Sequence, residues 1–127
     1  MTETILLEKE TTGAVIGAFY EVYNTLGFGF LEHVYSLAME RELVARGRAV
    51  GREVQIPILY KGQFLTNHRA DLIVDEKVVV EIKSTEILST STPRTVQNYL
   101  KATRIEVALI LHFGPEARFY RVVRSNG

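Results

Sequence analysis

The chain contains no cysteine. That excludes disulfides and thiolate metal sites, and it fits a reducing, cytoplasmic setting, which is the expected location. It also has no net charge, since 15 lysines and arginines balance 15 aspartates and glutamates. No global basic field draws it to nucleic acid, so any such binding must come from a local patch. No run approaches the roughly 18 apolar residues that a membrane helix needs. The acidic N-terminus lacks the positive charge and apolar core of a signal peptide, so no membrane partner is expected. The three histidines, His33, His68 and His112, show no close ligand spacing, which disfavours zinc. There is no phosphate-cradling glycine loop, and no serine or cysteine nucleophile stands near a partner. Internal repeats and low-complexity linkers are absent too. What remains is a chain of 127 residues, 46% hydrophobic and 24% charged. This composition predicts one soluble globular domain over residues 1–127, with a single core of ordinary size.

The most informative stretch runs from Arg69 to Lys83. It reads as two apolar strands joined by a tight charged turn, with Asp71, Glu81 and Lys83 set among valine, isoleucine and leucine. An ionised group in such a run is costly unless it is paired or holds a metal. Side chains at i and i+2 share a face of a strand, so Glu81 and Lys83 project together. If Val74 pairs with Val78 around a three-residue turn, Asp75-Glu76-Lys77, then Asp71 falls opposite Glu81 on that face. A two-residue turn would set Asp71 opposite Val80, on the wrong face. Convergence of the acids therefore predicts the three-residue turn, or a bulge that restores the phase. Two carboxylates beside a lysine suit a hard cation such as Mg²⁺, which takes oxygen ligands and keeps several waters. Such an ion polarises a phosphate and activates a bound water, and Lys83 would orient that water or neutralise developing charge. The residues alone equally allow a structural ion-pair cluster at the edge of a sheet.

Elsewhere the patterning predicts a helix from Glu8 to about Thr25, with Val15, Ile16, Phe19, Val22, Tyr23 and Leu26 as its apolar stripe. Gly13 and Gly17 on one side would permit close approach of another backbone, and Gly27 ends the helix. Gly27-Phe28-Gly29-Phe30 turns into a second helix, Leu31 to Arg46, whose apolar face is Leu31, Val34, Tyr35, Ala38, Met39 and Leu43. Gly47 stops it. Read from the residues alone, Glu32 is a helix-start acid favoured by the dipole and Tyr35 a core tyrosine. A strand follows from Val50 to Tyr60, placed at an edge or bulged by Pro57. A short turn at Lys61-Gly62 leads to strands Gln63–Val74 and Lys77–Ser84, giving a meander. Arg69 shares the face of Asp71, either pairing with it or meeting a phosphate. After a polar loop from Thr85 to Ser91, Thr92 as cap and Pro93 start a helix to about Thr103. Val96, Tyr99, Leu100 and Thr103 face inward. Arg94, Gln97, Lys101 and Arg104 form a basic-polar stripe, which is either a solvated face or a contact for phosphate backbone. Ile105 to Phe113 is almost continuously apolar, which predicts a central strand reached by a crossover and covered on both faces. Ala117 to Val123 is a last strand, and Arg124 to Gly127 reads as a frayed tail.

Asp71, followed at a distance by Glu81-Ile82-Lys83, resembles the D…ExK core of the PD-(D/E)XK nuclease superfamily. Gly29-Phe30-Leu31-Glu32-His33-Val34-Tyr35 resembles the signature of the GxxExxY protein family, which is placed in that superfamily. The two signatures together reach from the first helix to Phe113-Gly114. Ala70 stands where the superfamily's name has proline, a position that often varies. The resemblance implies an α/β, restriction-endonuclease-like mixed sheet of about five strands flanked by helices. It implies a Mg²⁺-dependent nuclease (Mn²⁺ as substitute) acting on phosphodiester bonds of DNA. Asp71, Glu81 and the Ile82 carbonyl would hold the metal. Glu32 would be a further ligand or a water-positioning carboxylate, and Lys83 would position the attacking water. Gly29 and Tyr35 would support the Glu32 arm. Gln97-Asn98-Tyr99 partly resembles the Q-x-x-x-Y element of helicase-associated and phage-exonuclease members. Its tyrosine comes two residues on rather than four, so only Gln97 is carried over, to join Arg94, Lys101 and Arg69 as substrate-binding residues. A small, neutral chain offers little groove for a duplex, which a homodimer or a partner protein would supply. The alternative is a non-catalytic module, binding nucleic acid or assembling with protein, that retains the nuclease fold.

Overall fold

The computed structural model describes residues 7–125. Residues 1–6, with the acidic start, and 126–127, at the end of the tail, lie outside the described residues. Helix α1 (Lys9–Leu26) buries Val15, Phe19 and Val22 of its expected stripe together with Ala18, while Ile16, Tyr23 and Leu26 are partly buried against the same core. Gly27 closes it at φ 72°, its N–H donating to the Tyr23 carbonyl at 2.7 Å. Helix α2 (Glu32–Ala45) buries Tyr35, Met39 and Leu43 completely. Two members of its expected apolar face do not join the core: Leu31 is 79% exposed and Val34 borders solvent. The close approach expected at Gly17 is made by the Arg46 guanidinium rather than by a backbone, and Gly13 faces open space.

Strands β1 (Val50–Tyr60), β2 (Gln63–Val74), β3 (Val78–Lys83), β4 (Val107–Phe113) and β5 (Ala117–Val123) form one sheet in sequence order. All neighbours are antiparallel except β3 and β4. The crossover between those two is helix α3 (Thr92–Thr103), which starts one residue earlier than expected, with Ser91 at the cap and Thr92 buried in the first turn. Pro57 lies in β1, an edge strand, where a missing N–H breaks no ladder on the open side. Helices α1 and α2 cover one face of the sheet, with Phe19, Tyr35 and Met39 against Leu72, Val80, Ile82 and Leu109. Helix α3 covers the other, with Val96, Tyr99 and Leu100 against Ile56, Ala70, Val79 and Ile110. Every residue of β4 is buried, as its unbroken apolar run demands.

Two local features set up the site. The turn between β2 and β3 is the three-residue one: Val74 pairs with Val78, and the Lys77 N–H donates to the Val74 carbonyl at 3.0 Å. Asp75 anchors it by accepting from Thr11 Oγ1 at 2.9 Å, from Arg48 at 3.0 Å and from the Ala49 N–H at 3.0 Å. The second feature is a reversal of faces. Arg52 pairs with Glu40 on α2, and its ladder partner Leu72 belongs to the core beneath α1 and α2. Two residues along each strand, Val54 lines a groove with Thr103 and Ile105, and its partner Ala70 packs under α3. Residues of one parity thus change sides across the intervening pair, Glu53 and Asp71. Glu53 carries the backbone irregularity, with φ at 55°.

Candidate active site

Asp71 stands where the sheet opens. The β2–β3 ladder runs from Val74↔Val78 to Leu72↔Val80 and stops. The next inward amide, that of Ile82, donates to Asp71 Oδ2 at 2.7 Å, so a carboxylate takes the place of a strand carbonyl. Continuing the register sets Asp71 across from Glu81. Glu81 is only 6% exposed. Its Oε2 lies 3.6 Å from Lys83 Nζ, while its Oε1 is buried with no donor in reach among the described residues.

Burial pushes the Glu81 carboxyl up to about 7, with the charge of Asp71 adding to the rise and Lys83 opposing it. Burial also raises Asp71; the Ile82 amide pulls the other way, and Glu32 adds to the rise. Two acids in so little water resist being ionised together. Tyr99, on α3, senses the same field. Burial first, then Glu81 and Asp71, push its phenol up to about 12, so it stays neutral.

Glu32 begins α2 and is exposed; its Oε2 accepts the Ser84 N–H at 3.2 Å, tying the helix start to the residue after Lys83. It shares a cavity of about 250 Å³ with Glu53, Arg69, Asp71 and Ile82. The remaining signature residues act on the loop before the helix. The Tyr35 hydroxyl donates to the Gly27 carbonyl and accepts the Phe30 N–H at 3.2 Å. Gly29 sits at φ 121°, which an L side chain rarely adopts. Tyr35 is itself fixed by stacking on Phe113, centroids 4.1 Å apart.

The substrate-binding expectations fall differently. Arg69 is 62% exposed and faces Glu53 at 3.9 Å rather than Asp71. Arg94 and Lys101 are exposed on α3, Lys101 beside a groove that also includes Pro57 and His68. Gln97 donates to the Val123 carbonyl at 3.3 Å, which engages it with β5. The tyrosine set aside from the Q-x-x-x-Y comparison, Tyr99, is the residue of that trio whose pKa the acids shift. Two further residues escaped the sequence. Glu53 lies on the far side of Asp71 in the cavity wall. His112, buried and in register with Lys83, donates Nε2–H to the Thr85 carbonyl at 2.8 Å and so holds the loop after the ExK strand. Only register could have pointed to either.

A divalent cation fits the acid pair. The donors are all oxygen, one is a buried carboxylate atom with no donor in reach among the described residues, and burial raises both carboxyls in spite of Lys83. Among the described residues no group of three or more histidine, aspartate or glutamate side chains is gathered closely enough to hold an ion. Glu32 is engaged with Ser84, so the fit rests on Asp71 and Glu81.

A mixed five-stranded sheet flanked by three helices, with its acids on a parting β-hairpin, has the restriction-endonuclease-like fold. A profile of the PD-(D/E)XK nuclease superfamily matches residues 9–124, and the chain belongs to that superfamily. Its members generally use divalent metals and act on nucleic acid. Among solved structures, the chain is similar to one described as the crystal structure of SSO0001, at 22% identity and a TM-score of 0.57. That match covers 76% of this chain and 52% of the other, so the chain spans about half the length of its structural relative. No curated protein matches. No helix of the described residues is long and apolar enough to cross a membrane.

Proposed function

We propose that the chain hydrolyses phosphodiester bonds of DNA with a bound Mg²⁺, which Mn²⁺ can replace, and that within the superfamily it is a GxxExxY protein. The observation that carries this reading is the buried, unpartnered Oε1 of Glu81 beside a second raised carboxyl. Two buried carboxyls with a single lysine beside them form an oxygen donor set that a hard divalent cation would satisfy.

Asp71 and Glu81 would hold the metal together with the Ile82 carbonyl. A divalent ion there would supply polarisation of the phosphate and activation of a water. Lys83, one-third exposed and 3.6 Å from Glu81, reaches from the acid pair toward solvent. There it orients the attacking water and offsets the negative charge that grows on the phosphoryl oxygens. Glu32, fixed by the Ser84 amide, orients water on the open side of the cavity. Arg69, Arg94 and Lys101 supply phosphate contacts, Gln97 adds to them when freed from β5, and a second copy or a partner protein extends the groove.

The test is cleavage of labelled DNA oligonucleotides with Mg²⁺, Mn²⁺ or EDTA, paired with calorimetric metal titration. Cleavage should require metal and vanish in Asp71→Ala, Glu81→Ala and Lys83→Ala. Metal binding should vanish in the first two only. Metal-independent binding with no cleavage of any substrate would make the chain an assembly or binding module instead.

A further inference from the structure

The loop from α1 to α2 puts a row of large apolar side chains into water beside the acids. Phe28 is 43% exposed, Phe30 46% and Leu31 79%, and no charged residue occurs between Gly27 and Leu31. The loop is nonetheless well fastened. Tyr35 bridges Gly27 and Phe30, Gly27 and Gly29 take positive φ, and the Phe30 ring stands edge-on to Tyr35 at 6.2 Å. Ser84 donates its hydroxyl to the Phe30 carbonyl and its amide to Glu32. The apolar loop is therefore tied to the residue that follows Lys83, and Glu32 at its end lines the cavity of Asp71.

Two substrates present themselves to such a rim, and they offer it different surfaces. A duplex shows phosphates outside and keeps its bases stacked, so its affinity comes mainly from cations, which this neutral chain lacks as a field. Unpaired bases show flat apolar faces that stack on aromatic rings whatever their sequence. We propose that Phe28 and Phe30 form a stacking platform for unpaired bases next to the scissile phosphate, which makes single-stranded DNA the substrate. This rests on the phosphodiesterase reading above. A preformed platform suits the role, because holding the rings in place beforehand lowers the entropy lost when a base stacks on them. Another group of exposed aromatics, at the β1–β2 hairpin tip with Tyr60 and Phe64, serves as a contrast. Phe64 lies seven residues along β2 from Asp71, about 23 Å at the rise of an extended strand.

The chain has no tryptophan, so Phe28→Trp introduces a single reporter. Binding is followed on a Lys83→Ala background in Mg²⁺, by tryptophan quenching and by anisotropy of labelled single-stranded and blunt duplex DNA. Single strands should quench Phe28→Trp and bind about tenfold or more tighter than duplex. Phe28→Ala with Phe30→Ala should lose about tenfold in single-strand affinity, with metal affinity and melting temperature close to the parent. Phe28→Leu, which keeps apolar area without a ring, should fall with the alanine variants, and Phe64→Ala should bind as the parent does. Equal affinity for duplex, or a silent Phe28→Trp, would overturn the platform. So would self-association through this loop, abolished by Leu31→Asp, with no change in DNA binding. Quenching by single strands without cleavage by the wild type would instead sink the hydrolase and leave the platform standing.

Discussion

Glu81 is a buried acid whose ionisation is costly unless the proposed cation binds it. Its folded pKa of about 7 lies above the ordinary 4.5, so the fold favours its neutral form. The stability this contributes is fully present below about pH 4.5 and is lost as pH rises through about 7. The metal-free protein should therefore lose on the order of 3 kcal/mol across that window from this group, with Asp71 acting in the same direction. Glu81→Gln removes the ionisation. It should raise metal-free stability at pH 8 by roughly 1–3 kcal/mol in urea melts while abolishing Mg²⁺ binding. Proton and cation compete for the same oxygens, so Mg²⁺ affinity of the wild type should climb from pH 6 to pH 8. A flat stability profile, or a Glu81→Gln protein less stable than wild type at pH 8, would mean the carboxylate is satisfied within the protein after all.

At the scale of elements, the hairpin was legible and the loop was not. Parity alone demanded a three-residue turn if Asp71 was to face Glu81, and the β2–β3 ladder has that register. No comparable rule reveals that both strands change faces at Glu53 and Asp71. Glutamate at φ 55° has no signature in composition or period. Counting apolar positions likewise enrolled Leu31 and Val34 in the core, because periodicity cannot tell the first turn of a helix from the loop feeding it. Gly29, Glu32 and Tyr35 could be picked out as a pattern, but their work lies outside the helix. They shape the loop and pin it to Ser84. Tyr35→Phe keeps the stack on Phe113 and deletes both hydroxyl contacts. It should cost about 1–2 kcal/mol of stability, read by thermal melting. Hydrogen exchange should rise at residues 27–31 well before it rises in α2. A variant with an unchanged melting temperature and unchanged exchange in that loop would show that the hydroxyl bridge does not hold it.

For the whole molecule, charge balance limits how nucleic acid can be held. The chain's net charge is +0, and apart from Lys83 at the acids the cations on the proposed path are few: Arg69 at the cavity and Arg94 and Lys101 on α3. Each phosphate neutralised on a single strand contributes about −0.7 to the slope of log affinity against log salt. Three such contacts give a slope near −2, shallow for a nucleic-acid enzyme, and stacking adds affinity without steepening it. Arg94→Ala and Lys101→Ala should each flatten the slope by about 0.7 and weaken all sequences alike, as backbone contacts do. Anisotropy titrations between about 50 and 200 mM salt measure this directly. A slope that steepens with protein concentration would reveal a second copy adding its own cations to the groove. A steep slope unaffected by either substitution would mean that the strand runs over another surface, and the path from Asp71 across α3 would have to be given up.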